Sequence, residues 1–346
     1  MRTSASSRMT ILFSFPDPAS GKNPYTSLLA SHLAEFSEVK FFSWRSALLT
    51  RYEIFHVHWP EQLFVGKSRA QTLVKVMAGC LLMLRLRLKR IPIVWTVHNV
   101  SPHENMHPVV SWAIRLLERQ VQHLLILNAS TAASIEHLGI GYSMIPHGHY
   151  LPTVESANDE NLPPTDFLLF GLLRPYKNAP RLMSVFGSLA GDELSLTIAG
   201  KPQPPDYATV LADMASTDSR IVLELGFQSD SRLVGLIRST FVVVLPYSEF
   251  NNSGAALLAL SAGRPILIPA SEASLELQEE FGDLWVRLFD GELDRSDLED
   301  ALHASKRRPD DRRPDLSSRD WRGIARAHHA TYIAVRRGKA VESRSD

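Results

Sequence analysis

The stretch that decides the fold is FVVVLPYSEFNNSGAALLALSAGRPILIP, residues 241–269. Two short apolar runs rich in β-branched residues flank a segment of alanine and leucine, which predicts a buried strand, a polar elbow, a helix and a second buried strand. The elbow places Asn251, Asn252, Ser253 and Gly254 where the helix begins. A helix start exposes backbone N–H groups and the positive end of the helix dipole. The elbow is therefore a candidate site for a phosphate or a sugar hydroxyl.

Strand and helix signals alternate along the whole chain. The predicted strands are 10–15, 39–44, 54–59, 91–98, 123–128 and 142–146 in the first half, and 166–171, 194–200, 221–226, 241–246, 265–270 and 284–289 in the second. Helical patterns separate most of them, for example at 26–35, 68–90, 108–122 and 130–137. Such alternation predicts parallel sheets with helical crossovers. The expected fold class is α/β, with two Rossmann-like domains facing each other across a cleft.

Composition suggests where the domains divide. Residues 151–165, LPTVESANDENLPPT, are acidic and rich in proline without an apolar period, so we interpret them as an interdomain linker. The N-terminal domain is then 1–150 and the C-terminal domain 166–305. Residues 306–346 form a charged loop, a last helix expected at 318–335, and a tail. The sequence leaves open whether this helix crosses back onto the first domain.

Charge and cysteine content narrow the class of protein. Residues 1–150 carry 15 Lys/Arg and 8 Asp/Glu, a net charge of +7, and the rest carries 22 and 29, a net charge of −7. The N-terminal half therefore prefers anionic surroundings. The single cysteine, Cys80, excludes an internal disulfide and suits a reducing compartment. The apolar run 11–15 is too short for the core of a signal peptide. We expect a cytoplasmic protein with no nucleic-acid partner.

The most apolar segment, VMAGCLLMLRLRLKR, covers residues 76–90. Its uncharged part, Val76 to Leu84, is far shorter than the roughly 20 residues that span a bilayer. One interpretation is a buried crossover helix that ends in solvated cations. The other is peripheral contact with anionic lipid at the inner face of the cell membrane. The cations concerned are Arg85, Arg87, Lys89 and Arg90.

The stretch GLLRPYKN, residues 171–178, follows the first strand of the second half. Arg174 and Lys177 lie three residues apart beside a strand end, where they can bracket a pyrophosphate. The helix opening at Ser253 and Gly254 would add N–H donors. The alternative is a solvated turn with an ordinary helix cap. No GxGxxG follows the first strand of the chain, which counts against a dinucleotide-binding dehydrogenase.

Three motifs together carry a family resemblance: GLLRPYKN, the elbow NNSGAALLALSAGRPILIP, and VWTVHN at 94–99. In this order the chain resembles glycosyltransferases of the two-domain GT-B fold. It is most similar to bacterial exopolysaccharide enzymes related to family four and to the xanthan-type mannosyltransferases. The likeness covers most of residues 10–305. It implies a nucleotide-sugar bound by the second domain, an acceptor bound by the first, and no metal requirement.

The resemblance assigns phosphate contacts by position. Gly171 and Lys177 match the family's glycine and lysine, six residues apart, that hold the donor phosphates. The family's arginine follows that glycine directly, but Leu172 occupies the place here, so Arg174 must substitute for it.

The elbow departs from the family pattern. Retaining members of family four carry two glutamates eight residues apart, and Phe250 and Leu258 stand at those positions here. Either the sugar-binding carboxylate is missing or Glu249 replaces it. Asn252 and Ser253 would then hydrogen-bond the donor, which puts a retaining mechanism in doubt.

Further donor contacts are expected at other loops. Lys201 follows a predicted strand and is a second candidate for a phosphate or ribose. Phe227, in the loop GFQSDSRL at 226–233, is the candidate for packing on the nucleotide base. His147, in IPHGHY, is a further candidate for donor contact.

An inverting transfer needs a general base to deprotonate the acceptor hydroxyl. Candidates at predicted strand-end loops are Asp17, Glu61, His98 and Glu104. His98 also matches the family's histidine near the sugar and the acceptor. The alternatives are a structural histidine bonded to backbone and carboxylates that are simply solvated.

A histidine metal site is a separate hypothesis. The first 150 residues hold 10 of the 13 histidines. The set considered is His56, His58, His103 and His107. Their spacing matches no compact zinc pattern, so we expect no metal and no cofactor besides the nucleotide-sugar co-substrate.

The function predicted from these residues is transfer of a hexose from a nucleotide-sugar to a saccharide acceptor in polysaccharide biosynthesis. The resemblance favours mannose from GDP-mannose and a lipid-linked acceptor. One alternative is a retaining transferase that uses a UDP-sugar. A second alternative is a catalytically degenerate sugar- or nucleotide-binding subunit that assists another transferase.

Overall fold

The computed structural model describes residues 8–18, 23–98, 107–158, 160–307 and 313–338. The chain forms two compact units. The first contains residues 1–148 and 319–346, and the second contains residues 149–318. Each unit has one six-stranded sheet, and the paired strands in both sheets are parallel. The α/β class predicted from the alternating pattern is confirmed.

The sheet of the first unit has the strand order β2-β1-β3-β4-β5-β6. Its strands are β1 Thr10–Phe13, β2 Glu38–Lys40, β3 Ile54–Val57, β4 Ile93–Val97, β5 Val121–Ile126 and β6 Tyr142–Met144. The accompanying helices are α1 Pro24–Leu33, α2 Trp44–Leu49, α3 Pro60–Phe64, α4 Arg69–Lys89, α5 Pro108–Glu118 and α6 Thr131–Ile135. Side chains alternate across the sheet: Ile11 and Phe13 enter one apolar cluster, and Leu12 enters the other.

The sheet of the second unit has the order β12-β11-β10-β7-β8-β9. Its strands are β7 Thr165–Phe170, β8 Leu196–Gly200, β9 Ile221–Leu225, β10 Thr240–Val244, β11 Ile266–Pro269 and β12 Val286–Phe289. The helices are α7 Leu151–Ser156, α8 Ala179–Gly187, α9 Tyr207–Ala215, α10 Asp230–Ser239, α11 Gly254–Ser261, α12 Glu272–Phe281 and α13 Arg295–Lys306. The stretch 241–269 thus folds as the predicted strand, elbow, helix and strand.

Two glycines bring the loops after β7 and β8 together. Gly171 has a φ of 103° and Gly200 a φ of 141°, both in the region that favours glycine. A Cβ on Gly200 would lie 1.8 Å from the Gly171 carbonyl oxygen. The close approach of the two backbones therefore requires glycine at position 200.

One local prediction is wrong. The strand expected at 39–44 ends at Lys40, and Trp44 begins α2 because Ser43 and Ser46 form a capping box there. The segment 151–165, interpreted from the sequence as an interdomain linker, begins with α7. This helix buries Val154 completely. A single buried apolar side chain thus holds a short helix whose sequence shows no apolar periodicity.

Helix α4 is the longest helix described. It buries Val76, Gly79, Leu82, Met83 and Leu86 against the first unit, as the crossover interpretation expects. Its other face leaves several large apolar side chains in solvent. Within the described residues, no helix is both long enough and apolar enough to cross a bilayer.

The last helix, α14 Trp321–Arg336, belongs to the first unit and packs on α1. Trp321 is 1% exposed, and the Tyr332 hydroxyl lies 2.7 Å from Nδ1 of His56 on β3. Gly148 leaves room for the indole, since a Cβ there would lie 2.4 Å from the Trp321 ring. The C-terminal helix thus completes the core on one side of the first sheet.

We expect Trp321→Ala to lower the free energy of unfolding of the first unit by about 3–5 kcal/mol, because it removes a fully buried indole. Chemical denaturation measures the change. Arg326→Ala on the exposed side of α14 is the matched control and should stay within about 0.5 kcal/mol of wild type. Equal effects of the two substitutions would contradict the packing role of α14.

Candidate functional site

Lys177 is a lysine of the second unit whose side chain is buried. It closes the short 3-10 helix Pro175–Lys177 and is only 8% exposed. Its Nζ lies 4.9 Å from the centre of the Tyr247 ring. A Cβ on Gly171 would come within 3.2 Å of the same Nζ. The absence of a side chain at position 171 therefore leaves space beside the ammonium group.

The elbow before α11 lies next to this lysine. The Ser248 N–H donates to the Tyr176 carbonyl oxygen at 2.8 Å, which joins the elbow to the 3-10 helix. Ser253 is the N-cap of α11, and its hydroxyl oxygen accepts a hydrogen bond from the Ala256 N–H at 3.2 Å. Burial raises the pKa of Tyr247, and the neighbouring Ser253 side chain acts in the opposite direction. Lys177 thus contacts a residue of the segment between β10 and α11.

The charge on Lys177 is costly in the folded protein. The pKa of Lys177 is lowered to about 8, chiefly by burial; Tyr176 opposes this effect, and the nearby Arg174 adds a smaller lowering. A desolvated ammonium group favours its neutral form until an anion approaches. An anion close to Nζ would therefore relieve part of the cost of burying this charge.

Arg174 has a different environment from Lys177. The loops after β7 and β8 pair through Leu173 N–H to Lys201 O at 2.9 Å and Gln203 N–H to Leu173 O at 2.8 Å. The Arg174 Nε donates to Gln203 Oε1 at 3.2 Å. Its side chain is thus held on this pair of loops, while its charge is still felt by Lys177.

The remaining donor candidates of the second unit differ in exposure. Lys201 and Glu249 are exposed, and Asn252 is half-buried. Phe227 follows β9 and is 63% exposed. Gly254 begins α11, and a Cβ there would lie 3.0 Å from the Tyr150 hydroxyl oxygen. Tyr150 and Tyr247 lie in stretches quoted from the sequence, but no sequence pattern singled out either side chain as a site residue.

In the first unit, His98 follows β4 and its ring is held on three sides. Its Nε2 lies 3.0 Å from Nδ1 of His58. The Trp59 ring stacks on it at 4.5 Å and 18°, and the Tyr25 ring meets it edge-on at 5.3 Å and 88°. Burial, with a smaller effect of His147, lowers the pKa of His98 to about 3. His98 is therefore a neutral hydrogen-bonding group near neutral pH.

His98 lies at the edge of a buried histidine cluster that includes His56, His58 and His328. His56 is held by Tyr332 at Nδ1 and by the Thr96 hydroxyl at Nε2, 2.8 Å away. Burial holds the pKa values of these histidines below their usual range. His328 comes from α14, on the same helical face as Tyr332 four residues later. That spacing is the only sequence signal for its inward position.

The structure describes three of the four histidines considered as metal ligands, His56, His58 and His107. His103 lies outside the described residues. His107 serves as the N-cap of α5, where its Nδ1 accepts from the Val109 N–H at 3.3 Å. Across the described ranges, no group of three or more His, Cys, Asp or Glu side chains is arranged to hold a metal ion.

The candidate bases have different environments. Glu61 lies in the first turn of α3, directly after Trp59 and Pro60, and burial raises its pKa. Asp17 is exposed in the segment that follows β1. Glu104 lies outside the described residues. Of the two carboxylates described, Glu61 is the more buried, and it lies two residues after Trp59, which stacks on His98.

His147 belongs to the first unit, two residues before the boundary with the second. It is buried, and its ring centre lies 4.5 Å from that of Tyr25. Its Nδ1–H donates to the Gly148 carbonyl oxygen at 2.8 Å. Burial lowers the pKa of His147 to about 4. The structure gives this side chain an aromatic packing role beside Tyr25.

We expect Lys177→Met to raise the free energy of unfolding at pH 7 by about 1–3 kcal/mol, after allowance for the lost cation–π contact. The folded-state pKa of about 8 lies below that of an unfolded lysine. The unfolded state therefore binds more protons between pH 8 and about 10.4, and wild-type stability rises with pH in that window. The advantage of the variant should shrink across it.

Denaturation at pH 7, 8, 9 and 10 measures this difference. Lys201→Met is the matched control, because Lys201 is exposed and should give a small, pH-independent change. If Lys177→Met is less stable than wild type at pH 7, the lysine has a structural role instead.

Comparisons with known proteins bear on the family and the fold of the chain. No family model matches the chain. Two proteins of Xanthomonas campestris pv. campestris, both GDP-mannose:glycolipid 4-beta-D-mannosyltransferases, are 37% and 36% identical over 336 residues, 96% of this chain and 94% of each relative. These relatives match nearly the whole chain at an identity that establishes common family membership.

Solved structures agree on the fold. HepE of Anabaena in complex with UDP-glucose has a TM-score of 0.61 at 12% identity, covering 95% of this chain and 98% of that protein. Sucrose-phosphate synthase of Thermosynechococcus elongatus has a TM-score of 0.65 at 14% identity, covering 96% and 100%. At such low identity these likenesses establish the fold alone. The chain belongs to the family of the GDP-mannose:glycolipid 4-beta-D-mannosyltransferases and is a nucleotide-sugar-dependent hexosyltransferase of the GT-B fold.

Proposed function

We propose that this chain transfers mannose from GDP-mannose to a lipid-linked saccharide in polysaccharide biosynthesis and forms a β linkage. The observation that carries the proposal is the 37% identity, over 96% of the chain, to a transferase named for that donor and a glycolipid acceptor. The buried ammonium of Lys177 beside the start of α11 supports the use of a diphosphate donor.

The β linkage implies inversion, because mannose is α-linked in GDP-mannose. Inversion in one displacement needs a base that takes the proton of the acceptor hydroxyl as its oxygen attacks the anomeric carbon. Phe250 and Leu258 stand where retaining relatives carry glutamates, which agrees with this route. We assign the base to Glu61, since burial raises its pKa toward the working range. His98 is too weak a base and instead hydrogen-bonds a sugar hydroxyl.

Departure of GDP leaves negative charge on the diphosphate. In the proposed reaction Lys177 and the first N–H groups of α11 stabilise this charge, with Arg174 and Lys201 as further cations. Phe227 stacks on the guanine. Because cations and helix N–H groups supply the neutralisation, we propose that the reaction proceeds without a divalent metal. Turnover that stops on addition of EDTA and returns with Mg²⁺ would refute this point.

We expect Glu61→Gln to lower kcat by about 10²- to 10⁴-fold, because the amide cannot accept the acceptor proton. Donor affinity should be unchanged. Transfer of labelled mannose from GDP-mannose to a lipid-extracted glycan measures kcat, and NMR of the product gives its anomeric configuration. Glu118→Gln is the matched control, because burial also raises the pKa of Glu118. Full activity in Glu61→Gln together with loss of activity in Asp17→Asn would move the base to Asp17.

A nucleotide panel tests the donor separately from catalysis. A ligand that binds only the folded state raises the melting temperature. GDP and GDP-mannose should therefore stabilise the wild-type protein more than UDP, ADP or dTDP and their sugars. A larger shift with UDP-glucose would favour the UDP-sugar alternative, and no shift with any nucleotide would favour a degenerate subunit.

A lipid-linked acceptor would be held in a membrane, so we propose that the transfer takes place at a membrane surface. In this proposal α4 contacts the cytoplasmic face of the membrane. Its outer apolar side chains are spaced four, four, three and four residues apart and are 52% to 72% exposed: Leu73, Met77, Leu81, Leu84 and Leu88. Exposed cations follow at the end of the helix: Arg87, Lys89 and Arg90. An apolar stripe beside cations is typical of helices that lie in the interface of an anionic bilayer.

We expect the double substitution Leu84→Glu, Leu88→Glu to weaken binding to phosphatidylglycerol-containing vesicles at least about tenfold, because two leucines no longer enter the bilayer interface. Sedimentation with vesicles measures the bound fraction. Leu275→Glu, at an equally exposed leucine of the second unit, is the matched control and should bind like wild type. Unchanged binding of the double variant would exclude α4 as the contact.

A further inference from the structure

His58 lies directly behind His98 and is completely enclosed. It is 1% exposed, and its backbone N–H donates to the Ser14 hydroxyl at 3.0 Å. The rings of Phe13 and Phe15 lie 5.5 Å and 5.1 Å from its ring, and that of His56 lies 4.3 Å away. The imidazole of His58 therefore has a fixed orientation, with Nδ1 toward His98.

The contact between the two histidines requires one N–H and one bare nitrogen. Each neutral imidazole carries a single N–H, so the proton lies either on His58 Nδ1 or on His98 Nε2. The remaining nitrogen of His58, Nε2, is buried and has no hydrogen-bond partner among the described residues. A buried N–H without an acceptor is rarer than a buried acceptor without a donor. This difference places the proton of His58 on Nδ1.

The neighbouring histidines do not offer His58 an alternative acceptor. His328 donates its Nδ1–H to the Ile324 carbonyl oxygen at 2.9 Å, which leaves its Nε2 as a bare acceptor. That nitrogen makes no hydrogen bond with Nε2 of His58, since neither atom has a hydrogen-bond partner in the described part of the chain. His56 is already engaged at both nitrogens, by Tyr332 and Thr96. Burial keeps the pKa of His58 well below its usual value, so the ring is neutral.

We propose that His58 is a positioning residue: its Nδ1–H donates to Nε2 of His98 and so fixes His98 as the tautomer with its proton on Nδ1. His98 then acts toward a bound sugar only as a hydrogen-bond donor. This goes beyond the proposed function, in which His98 hydrogen-bonds a hydroxyl without a stated direction. It leaves proton abstraction to a carboxylate.

The tautomer can be measured without any activity. In the ¹⁵N-labelled full-length protein, long-range ¹H–¹⁵N correlation spectra distinguish a protonated Nδ1 from a protonated Nε2 in each histidine. The signals of His98 are assigned by their disappearance in His98→Asn. We expect a protonated Nδ1 for both His98 and His58. A protonated Nε2 on His98 would overturn the proposal.

Two substitutions test the consequence for transfer. His58→Asn keeps an N–H near the position of Nδ1 and should retain kcat within about threefold, whereas His58→Leu removes it and should lower kcat about 10- to 100-fold, the usual range for loss of an orienting partner. The KM for GDP-mannose should change little in either variant. Wild-type kcat in His58→Leu would refute the positioning role. Absence of transfer in the wild-type protein would instead contradict the proposed function, and the spectra would still decide the tautomer.

Discussion

In a parallel sheet all strands end at the same edge, and this constraint organises the functional residues of both units. In the second unit the loops after β7 and β10 meet there, so Lys177 contacts Tyr247 although 70 residues separate them in the chain. In the first unit the ends of β3 and β4 place His58 against His98. The sites are thus assembled from short loops on rigid frames, with glycine where two backbones approach closely.

Buried ionisable side chains have different charge states in the two units. Burial lowers the pKa of His58 and His98 in the first unit, so these two histidines are neutral hydrogen-bonding groups near neutral pH. Lys177 in the second unit remains a cation near neutral pH despite its burial, and an arriving anion relieves the cost of its desolvation. A nucleotide-sugar presents two kinds of group: sugar hydroxyls, which neutral hydrogen-bond donors can bind, and phosphates, which desolvated cations can bind.

Much of the fold could be predicted from the sequence, because each strand is a short β-rich run with helix-length segments between most of them. The prediction failed where a local cap decided the outcome, as at Trp44, and it did not include the short helix that buries Val154. Lys177 was found from its position beside Arg174 after a predicted strand, and the family resemblance then matched it. Tyr247 and His328 were not found, since their roles depend on side-chain packing between distant segments, which leaves little trace in local sequence patterns.

The position of α14 has a consequence for biosynthesis. Residues near the start of the chain, such as Phe13 and Leu29, share their apolar cluster with Trp321 and Tyr332 near its end. During synthesis the second unit is therefore complete before the first has its full interior. A ribosome-bound chain that has released residues up to 318 would carry a finished second unit and a first unit that still exposes the surface on which α14 packs.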